Sequence, residues 1–375
     1  MADADFIPKA ALAVPARDSA HARLRLIRTP SIGPVTYRQL LARFGSAEAA
    51  LDAIPLLARR GGGRPPILAD PREIAREIAR VAELGAGYLF LDDPDYPPLL
   101  AQLENAPAAL IARGDLRLTR RPCVAIVGAR NASAAACRFA RELGVHLGEG
   151  GATVVSGLAR GVDTAAHVGS LGTGTVGVIA CGIDVVFPPE NAVLQEQVAA
   201  RGLLLAEQPP GTEPRARHFP FRNRIIAGLS SGTVVVEAAP RSGSLITARL
   251  AGEAGREVMA VPGSPLDPRA QGCNLLIREG ATLVQNADDI LQQIGPIDPR
   301  MVRAPASDYA AAPPLDASDA IRRDVERLLG PVAVPVDELI RQSGHAPASV
   351  SMVLLELELA GRLERHAGGR VSLIG

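Results

Sequence analysis

Several residue types that particular functions require are scarce or absent in this sequence of 375 residues. All but one of its 40 basic residues are arginines, and the exception is Lys9 near the N-terminus. A P-loop lysine, a Schiff-base lysine and a pyridoxal-phosphate anchor are therefore excluded from the rest of the chain. The four cysteines form no C-x-x-C pair and no Cys/His group with zinc spacing. We expect no metal, no cofactor and a reducing compartment.

Long apolar runs are also missing. No stretch approaches the 18 apolar residues that a membrane-spanning helix requires, and the acidic residues 1–10 lack the apolar region of a secretion signal. We therefore expect a cytoplasmic protein with no membrane partner. The 40 Lys+Arg balance 40 Asp+Glu, which excludes a uniformly basic surface but allows a local basic patch. Hydrophobic residues make up 47% of the chain, which is enough to build folded cores.

Changes of pattern along the chain predict five segments. Residues 1–20, rich in Ala, Asp and Pro, are predicted to be a flexible N-terminus, and the apolar spacing of residues 21–85 predicts a small helical domain. Between residues 88 and 294, short β-branched strands alternate with helices, which predicts an α/β fold with a parallel sheet covered on both faces. A Pro/Ala-rich linker (295–317) precedes three helices and a hairpin (318–375), the pattern of a winged helix.

Two loops of the helical domain carry specific signals. Gly45 and Ser46 predict the end of one helix and the N-cap of the next. The loop Ser31-Ile32-Gly33-Pro34 precedes a helix and is similar to the loop of a helix-hairpin-helix, whose amides hold DNA backbone. A plain helical turn explains this loop equally well.

Small residues and arginines follow three of the predicted parallel strands, each time just before a helix. Ligands of such sheets bind beyond the carboxyl ends of the strands, and a helix N-terminus with glycine or serine amides attracts anions. These turns are predicted to bind phosphate, and the alternative for each is a tight connection with a solvated arginine. Their candidate residues are Gly128, Arg130, Ser156, Gly157, Arg160, Ser242, Gly243 and Ser244.

The segment 215–224 combines positive charge with aromatic rings. It contains four arginines, one histidine and no acid, together with two of the 11 Phe and Tyr residues of the chain. Guanidinium groups bind phosphates and rings stack on unpaired bases, so the segment predicts contact with single-stranded nucleic acid. The alternative is an Arg-rich surface loop whose rings, Phe221 above all, fill the core. The candidates are Arg217, Phe219, Arg222, Asn223 and Arg224.

No complete catalytic constellation is present in the sequence. Asp163 and His167 lie one helical turn apart and would suit acid–base chemistry, but a helix cap and a buried histidine are the favoured interpretation. The third predicted helix of the winged helix carries Glu356 and Glu358 and no basic residue before Arg362. Such a helix is poorly suited to reading a DNA groove, so a protein-interaction or non-specific role is favoured.

Six segments between about residues 90 and 292 together resemble the DNA-processing protein A family (DprA, or Smf). They are VAIVGARNAS, VVSGLARGVDTAAH, GVIACGIDVVFPPEN, AEQPPGTEPRARHFPFRNRIIAGLS, VVVEAAPRSGSLITARLA and VPGSPLDPRAQGCNLLIREGATLV. The resemblance implies an extended Rossmann-like fold between a SAM-like helical domain and a winged helix. It also implies a homodimer that binds and protects single-stranded DNA and loads RecA recombinase onto it during natural transformation, with no established catalytic activity.

The resemblance also assigns residues. The family's DNA pocket would fall on the strand-end residues given above and on Phe219, Arg222, Asn223 and Arg224. Its dimer surface, which overlaps the RecA contact, would fall on Asn274, Leu276 and Ile277. Some members carry lysines in the pocket where this chain has none, and arginine replaces their charge but not their geometry.

Two rival functions remain open. One is a nucleoside-monophosphate phosphoribohydrolase of related fold, whose P-G-G-x-G-T-x-x-E motif would correspond to the segment from Ser242 to Thr247. This chain lacks the Gly-Gly-x-Gly pattern there, and Leu250 stands in place of the trailing Glu. The other rival is a transcription regulator that acts through the winged helix.

Overall fold

The computed structural model describes residues 19–295, 317–366 and 368–374. The first described segment opens with four helices: α1 (Ala20–Arg28), α2 (Pro34–Phe44), α3 (Ala47–Arg60) and α4 (Pro71–Glu83). Gly45 ends α2 in the left-handed conformation (φ 75°), and the Ser46 hydroxyl accepts from the Ala49 amide at the start of α3. Both predicted boundary signals are therefore confirmed, because glycine tolerates positive φ and serine satisfies a first-turn amide.

The α/β domain follows. Its strands are β1 (Gly87–Phe90), β2 (Ala109–Gly114), β3 (Cys123–Val127), β4 (Thr153–Ser156), β5 (Thr175–Gly182), β6 (Leu203–Gln208), β7 (Gly232–Val235), β8 (Glu257–Ala260) and β9 (Thr282–Leu283). Its helices are α5 (Pro98–Ala101), α6 (Ala134–Glu149), α7 (Val162–Ser170), α8 (Ala192–Arg201), α9 (His218–Leu229), α10 (Gly243–Glu253), α11 (Gln271–Arg278) and α12 (Ala287–Ile294). Short 3₁₀ helices cover Leu116–Arg120 and Pro189–Asn191.

The nine strands form one sheet in the order β1-β2-β6-β5-β4-β3-β7-β8-β9. In this spatial order, the seven strands that run from β6 across the sheet to β9 (β3 to β9 in the chain) are parallel to one another. Strands β1 and β2 pair antiparallel at the other edge. Strand order reverses between β3 and β7, and sheets of this kind commonly bind ligands beyond the carboxyl ends of their strands. The prediction of an α/β fold with a parallel sheet is confirmed for these seven strands, whereas the antiparallel edge of β1 and β2 was not predicted.

Apolar residues cover both faces of the sheet. On β3, Cys123, Ala125 and Val127 pack with α9 and α10, whereas Val124 and Ile126 pack with α6 and α7. A strand buried on both faces has no polar side to display, which explains its continuous apolar sequence. The helices therefore fix the carboxyl ends of the strands in a rigid frame.

The two ends of the chain share one core. The C-terminal domain contains α13 (Asp319–Leu328), β10 (Val334–Pro335), α14 (Val336–Ser343), α15 (Pro347–Leu359), β11 (Leu363–His366) and β12 (Arg370–Leu373). Helix α15 packs against α3, and apolar residues of both domains belong to the same buried cluster. A Cβ at Gly61 would lie 2.1 Å from the Glu356 carbonyl oxygen, and one at Gly63 would lie 2.2 Å from that of Ala360. Glycine at these two positions therefore permits the close approach of the α3 end to α15.

None of the helices in the described ranges is both long and apolar enough to span a membrane.

Candidate nucleic-acid interface

A cavity of about 390 Å³ opens at the carboxyl edge of the sheet. It is lined by Arg130, Asn131, Gly157, Ala159, Arg160, Ile179, Ala180, Cys181, Phe187, Pro188, Pro189, Pro214, Phe219 and Arg222. The turns after β3, β4 and β5 and the start of α9 supply most of these residues. Five of the sequence-predicted residues therefore meet in one place: Arg130, Gly157, Arg160, Phe219 and Arg222.

Arg222 forms the positively charged floor of this cavity. Its side chain is only 6% exposed, and burial lowers the pKa of its guanidinium. Nη1 lies 3.4 Å from the Val178 carbonyl oxygen, and Nε is buried with no partner among the described residues. The nearby Asp163 carboxylate supplies a counter-charge that opposes this lowering of the pKa. The unpartnered Nε costs free energy, which makes Arg222 a candidate contact for an anionic ligand.

Gly157 makes room for this guanidinium. A Cβ at residue 157 would lie 1.3 Å from Arg222 Nη1 and 2.4 Å from Cζ. Any side chain there would displace Arg222 from its position. Gly157 was predicted as an amide donor to phosphate, but its amide donates to Asp163. In the structure this glycine instead leaves the space that Arg222 occupies.

Aromatic rings form one wall. The Phe219 and Phe187 centroids are 5.8 Å apart with tilted planes, and the Arg130 guanidinium lies 5.1 Å from the Phe219 centroid. Phe187 is 40% exposed, so its ring is available to a ligand. Phe187 was not among the predicted residues, although it follows β5 in the same way that the predicted turns follow β3 and β4. The rule of strand carboxyl ends would have found it.

The turn after β4 is held by its own carboxylate. Asp163 accepts the amide hydrogens of Gly157 (3.2 Å) and Ala159 (3.3 Å), and burial raises its pKa. Gly161 has φ +76°, and a Cβ there would lie 2.3 Å from the Ala129 carbonyl oxygen. At the cavity mouth, Arg160 pairs with Glu190 across the surface. This pair is exposed, so it can open to release Arg160 to a ligand.

His167 lies on α7 and is not among the residues that line the cavity. It is fully buried, its Nδ1 is 2.9 Å from Thr175 Oγ1, and burial lowers its pKa to about 3. Because Asp163 is used by backbone amides, the pair forms no acid–base dyad. In the described ranges no group of three or more His, Cys, Asp or Glu could hold a metal ion.

Gly128 and Ser156 support the cavity from behind. A Cβ at Gly128 would lie 2.5 Å from Val162 Cγ2, and the Ser156 hydroxyl donates to the Ile126 carbonyl oxygen at 2.6 Å. Nearby, the Glu237 carboxylate accepts from the amide and hydroxyl of Ser133 at the start of α6. These contacts lock the ends of β3, β4 and β7 together.

The remaining predicted residues are not among those that line the cavity. Ser242 Oγ and Ser244 Oγ are 2.8 Å apart at the start of α10, and Asn223 Nδ2 donates to the Gly243 carbonyl oxygen at 3.5 Å. Arg217 is exposed at the start of α9.

Arg224 is on the other side of α9. Its side chain is 6% exposed, and Nη2 donates to Glu207. It lines a separate cavity, so the structure does not bring it together with Arg222.

The residues predicted for self-association lie on α11. Asn274 bonds to both backbone polar groups of Gly263, and Leu276 and Ile277 are half-buried. Leu275, which was not predicted, is 39% exposed on the same helix. The helix therefore presents apolar surface beside the sheet edge.

Comparison with known proteins agrees with this geometry. The family model of DNA recombination-mediator protein A matches residues 87–295, more than half of the chain. This chain belongs to that family. Its ends match the DprA-like N-terminal HHH domain (residues 17–79) and the DprA winged helix domain (residues 309–369). The flanking helical and winged-helix predictions are thereby confirmed.

Relatives of the family cover most of the chain. Protein Smf of Synechocystis sp. is 35% identical over 76% of this chain and 79% of its own length. DNA processing protein DprA of Streptococcus pneumoniae is 45% identical over 55% of this chain and 73% of its own length. The X-ray structure of the pneumococcal protein is similar with a TM-score of 0.57, 40% identity and coverage of 60% and 78%. A Helicobacter pylori DprA structure, described as showing a single-stranded DNA binding mode, has a TM-score of 0.51, 30% identity and coverage of 55% and 95%.

Proposed function

We propose that this protein is a non-enzymatic mediator that binds single-stranded DNA in the cavity between Arg130, Phe219 and Arg222. The observation that carries the proposal is the buried Arg222 guanidinium, whose Nε is unpartnered among the described residues, at the floor of an aromatic cavity. A phosphate would take the unused donors of Arg222, and a base would stack on Phe187 or Phe219. Both contacts are independent of sequence, as a mediator that coats any incoming strand requires.

Charge at the mouth supports the same ligand. Arg130 and Arg160 flank the cavity, and Arg215 and Arg217 are exposed at the start of α9. Guanidinium groups match phosphate oxygens in pairs, so a strand passing over the mouth meets several of them. The H. pylori relative, described as binding single-stranded DNA, adds support from outside this chain.

We further propose that two copies associate through Asn274, Leu276 and Ile277, and that RecA recombinase contacts an overlapping surface. The exposed Leu275 lies on the same helix and adds apolar area. On this proposal the protein protects incoming single strands and passes them to RecA during natural transformation. The support is the family membership and the apolar α11 surface.

The structure favours neither of the two rival functions, the phosphoribohydrolase and the transcription regulator. At the start of α10 the hydroxyls of Ser242 and Ser244 bond to each other, and no carboxylate stands at residue 250. A regulator reading duplex DNA would need α15 exposed, but α15 is packed against α3.

The test is fluorescence anisotropy with labelled oligo-dT and a matched duplex at two salt concentrations, using Arg130→Glu. The control is Arg201→Glu, the same charge reversal at the exposed amino-end edge of the sheet. We expect at least tenfold weaker single-strand binding only for Arg130→Glu, and a salt slope smaller by about 0.7 per lost phosphate contact. Equal binding by both variants would refute the assignment. Absence of binding by the wild type, with release of free base from AMP, would favour the phosphoribohydrolase.

A further inference from the structure

The strand-order reversal between β3 and β7 is the place where sheets of this kind commonly bind a phosphate, at the N-terminus of the helix that follows the strand. Here that helix is α6, which follows β3 and has 16 residues. None of the residues that line the cavity described above belongs to α6 or to the end of β7. The cavity therefore lies to one side of the reversal, toward β4 and β5.

The carboxylate of Glu237 occupies this helix terminus. Glu237 follows β7 and is only 8% exposed. Its Oε1 accepts the Ser133 amide hydrogen at 3.1 Å, and its Oε2 accepts the Ser133 hydroxyl hydrogen at 2.7 Å. Ser133 is the N-cap of α6, and its Oγ in turn accepts from the Ala136 amide at 3.0 Å. Both polar hydrogens of the N-cap residue thus point to Glu237, as they would point to a bound anion.

The backbone holds this carboxylate in place. The Glu237 carbonyl oxygen accepts the Ala129 amide at 2.6 Å, and the preceding Val236 amide donates to the Val127 carbonyl oxygen at 3.0 Å. Both bonds continue the pairing of β3 with β7. The sheet therefore fixes the position of residue 237, and the carboxylate needs no rearrangement to meet the helix terminus.

The charge of Glu237 faces the positive end of α6. Among the described ion pairs none includes Glu237, and Arg269, which interacts with its charge, pairs with Asp267 at 2.9 Å. The first-turn amides of Ala134 and Ala135 have no partner among the described hydrogen bonds. A negative charge close to a helix N-terminus neutralises the partial positive charge there. Glu237 therefore cancels the attraction that this terminus would exert on a free phosphate.

We propose that Glu237 is a specificity-determining residue, a built-in anion that closes the strand-order reversal to free phosphate groups. Mononucleotides and dinucleotide cofactors, which would place a phosphate at this helix terminus, are thereby excluded. The backbone of a DNA strand is left with the guanidinium groups of Arg130 and Arg222 in the cavity. The exclusion holds whatever fills the cavity, and only this last step rests on the proposed function.

The test compares Glu237→Ala with the wild type, using the full chain with inorganic phosphate and AMP as probes. The substitution removes the carboxylate and leaves the Ser133 donors to an added anion. We expect the thermal midpoint of Glu237→Ala to fall by about 5 °C in sodium chloride, and phosphate at equal ionic strength to restore most of this loss. Calorimetric titration should show phosphate and AMP binding about tenfold tighter to Glu237→Ala than to the wild type.

A control variant separates the helix terminus from general effects of phosphate. Glu196→Ala also removes a carboxylate, but an exposed one that pairs with Arg113. Its midpoint should respond to phosphate as that of the wild type does. Phosphate stabilises folded proteins generally because it is excluded from their surfaces, so the extra response of Glu237→Ala is the quantity to measure.

The outcomes are decisive. A response of Glu237→Ala to phosphate equal to that of Glu196→Ala, or AMP binding no tighter than to the wild type, would refute the inference. If Glu237→Ala does not fold in sodium chloride, native circular dichroism regained in phosphate supports the inference, and an unfolded chain in both salts overturns it. Anisotropy of the wild type with oligo-dT tests the proposed function separately. Absence of strand binding would end that proposal, whereas rescue of Glu237→Ala by phosphate would still support the exclusion.

Discussion

The most direct test of the cavity floor is the substitution Gly157→Ala. A Cβ at this position would lie 1.3 Å from Arg222 Nη1, so the guanidinium has to leave its position. The backbone itself tolerates alanine, since Gly157 is not among the residues with positive φ. The substitution therefore moves the charge of Arg222 without removing it.

The magnitude follows from what Arg222 would donate to a phosphate. A hydrogen bond to a charged group contributes about 1.5–3 kcal/mol, which corresponds to about 10–150-fold in affinity. Overpacking would lower the free energy of unfolding by about 1–3 kcal/mol, which circular dichroism and urea denaturation would measure separately. The assay is anisotropy with oligo-dT. Gly172→Ala is the matched control, because a Cβ added at that glycine would have no neighbouring atom within 4 Å.

A double-mutant cycle makes the reasoning refutable. Arg222→Met removes the guanidinium but keeps a long side chain in its position. If displacement of Arg222 is the cause, Gly157→Ala adds little to the affinity loss in the Arg222→Met background. Additive losses, or wild-type affinity in a folded Gly157→Ala protein, would show that the guanidinium position is irrelevant to binding.

Two further predictions concern stability. Burial in the fold lowers the pKa of His167 from its ordinary value of 6.5 to about 3. As the pH falls, the unfolded chain therefore takes up the proton before the folded protein does. The free energy of unfolding should decrease as the pH falls from 6.5 toward 3. Urea denaturation at pH 7.5 and pH 5 should show a larger loss for the wild type than for His167→Gln; an equal loss would contradict the assignment. Gly61→Ala should separate α3 from α15, because its Cβ would meet the Glu356 carbonyl oxygen at 2.1 Å. Calorimetry should then resolve a new low-temperature transition that Gly330→Ala, with open space around it, does not produce; a single unchanged transition would contradict the shared core.

Local chemistry made much of the fold predictable. Strand runs such as Cys123–Val127 are apolar at every position because both faces of a parallel sheet are covered. This pattern can be recognised in the sequence alone. Gly45 and Ser46 mark helix ends because left-handed φ and amide capping depend on single residues. The strand-end rule also placed Arg130, Gly157 and Arg160 at one edge, where the structure has them.

Other features depended on contacts between distant parts of the chain. Arg222 and Arg224 are two residues apart on one helix, and the sequence pattern treats them alike. Because two residues on a helix point in different directions, Arg222 lines the cavity of the candidate interface and Arg224 lines a separate cavity. Only the packing of α9 decides that Arg224 pairs with Glu207 and that Arg222 lies at the floor of the candidate interface. The strand-end rule would have placed Phe187 at this edge of the sheet, but only the folding of the loop after β5 toward α9 decides its contact with Phe219.

The sequence by itself indicated the alternation of strands and helices, the helix boundary at Gly45 and Ser46, and the sheet edge at which Arg130, Gly157 and Arg160 meet, because these follow from side-chain periodicity and from turn residues. Only the tertiary structure decided that the two ends of the chain share a core, that α15 is covered, and that α9 divides two cavities. Those facts depend on which apolar faces meet, since burial free energy has no direction and the sequence does not state which partner covers a face.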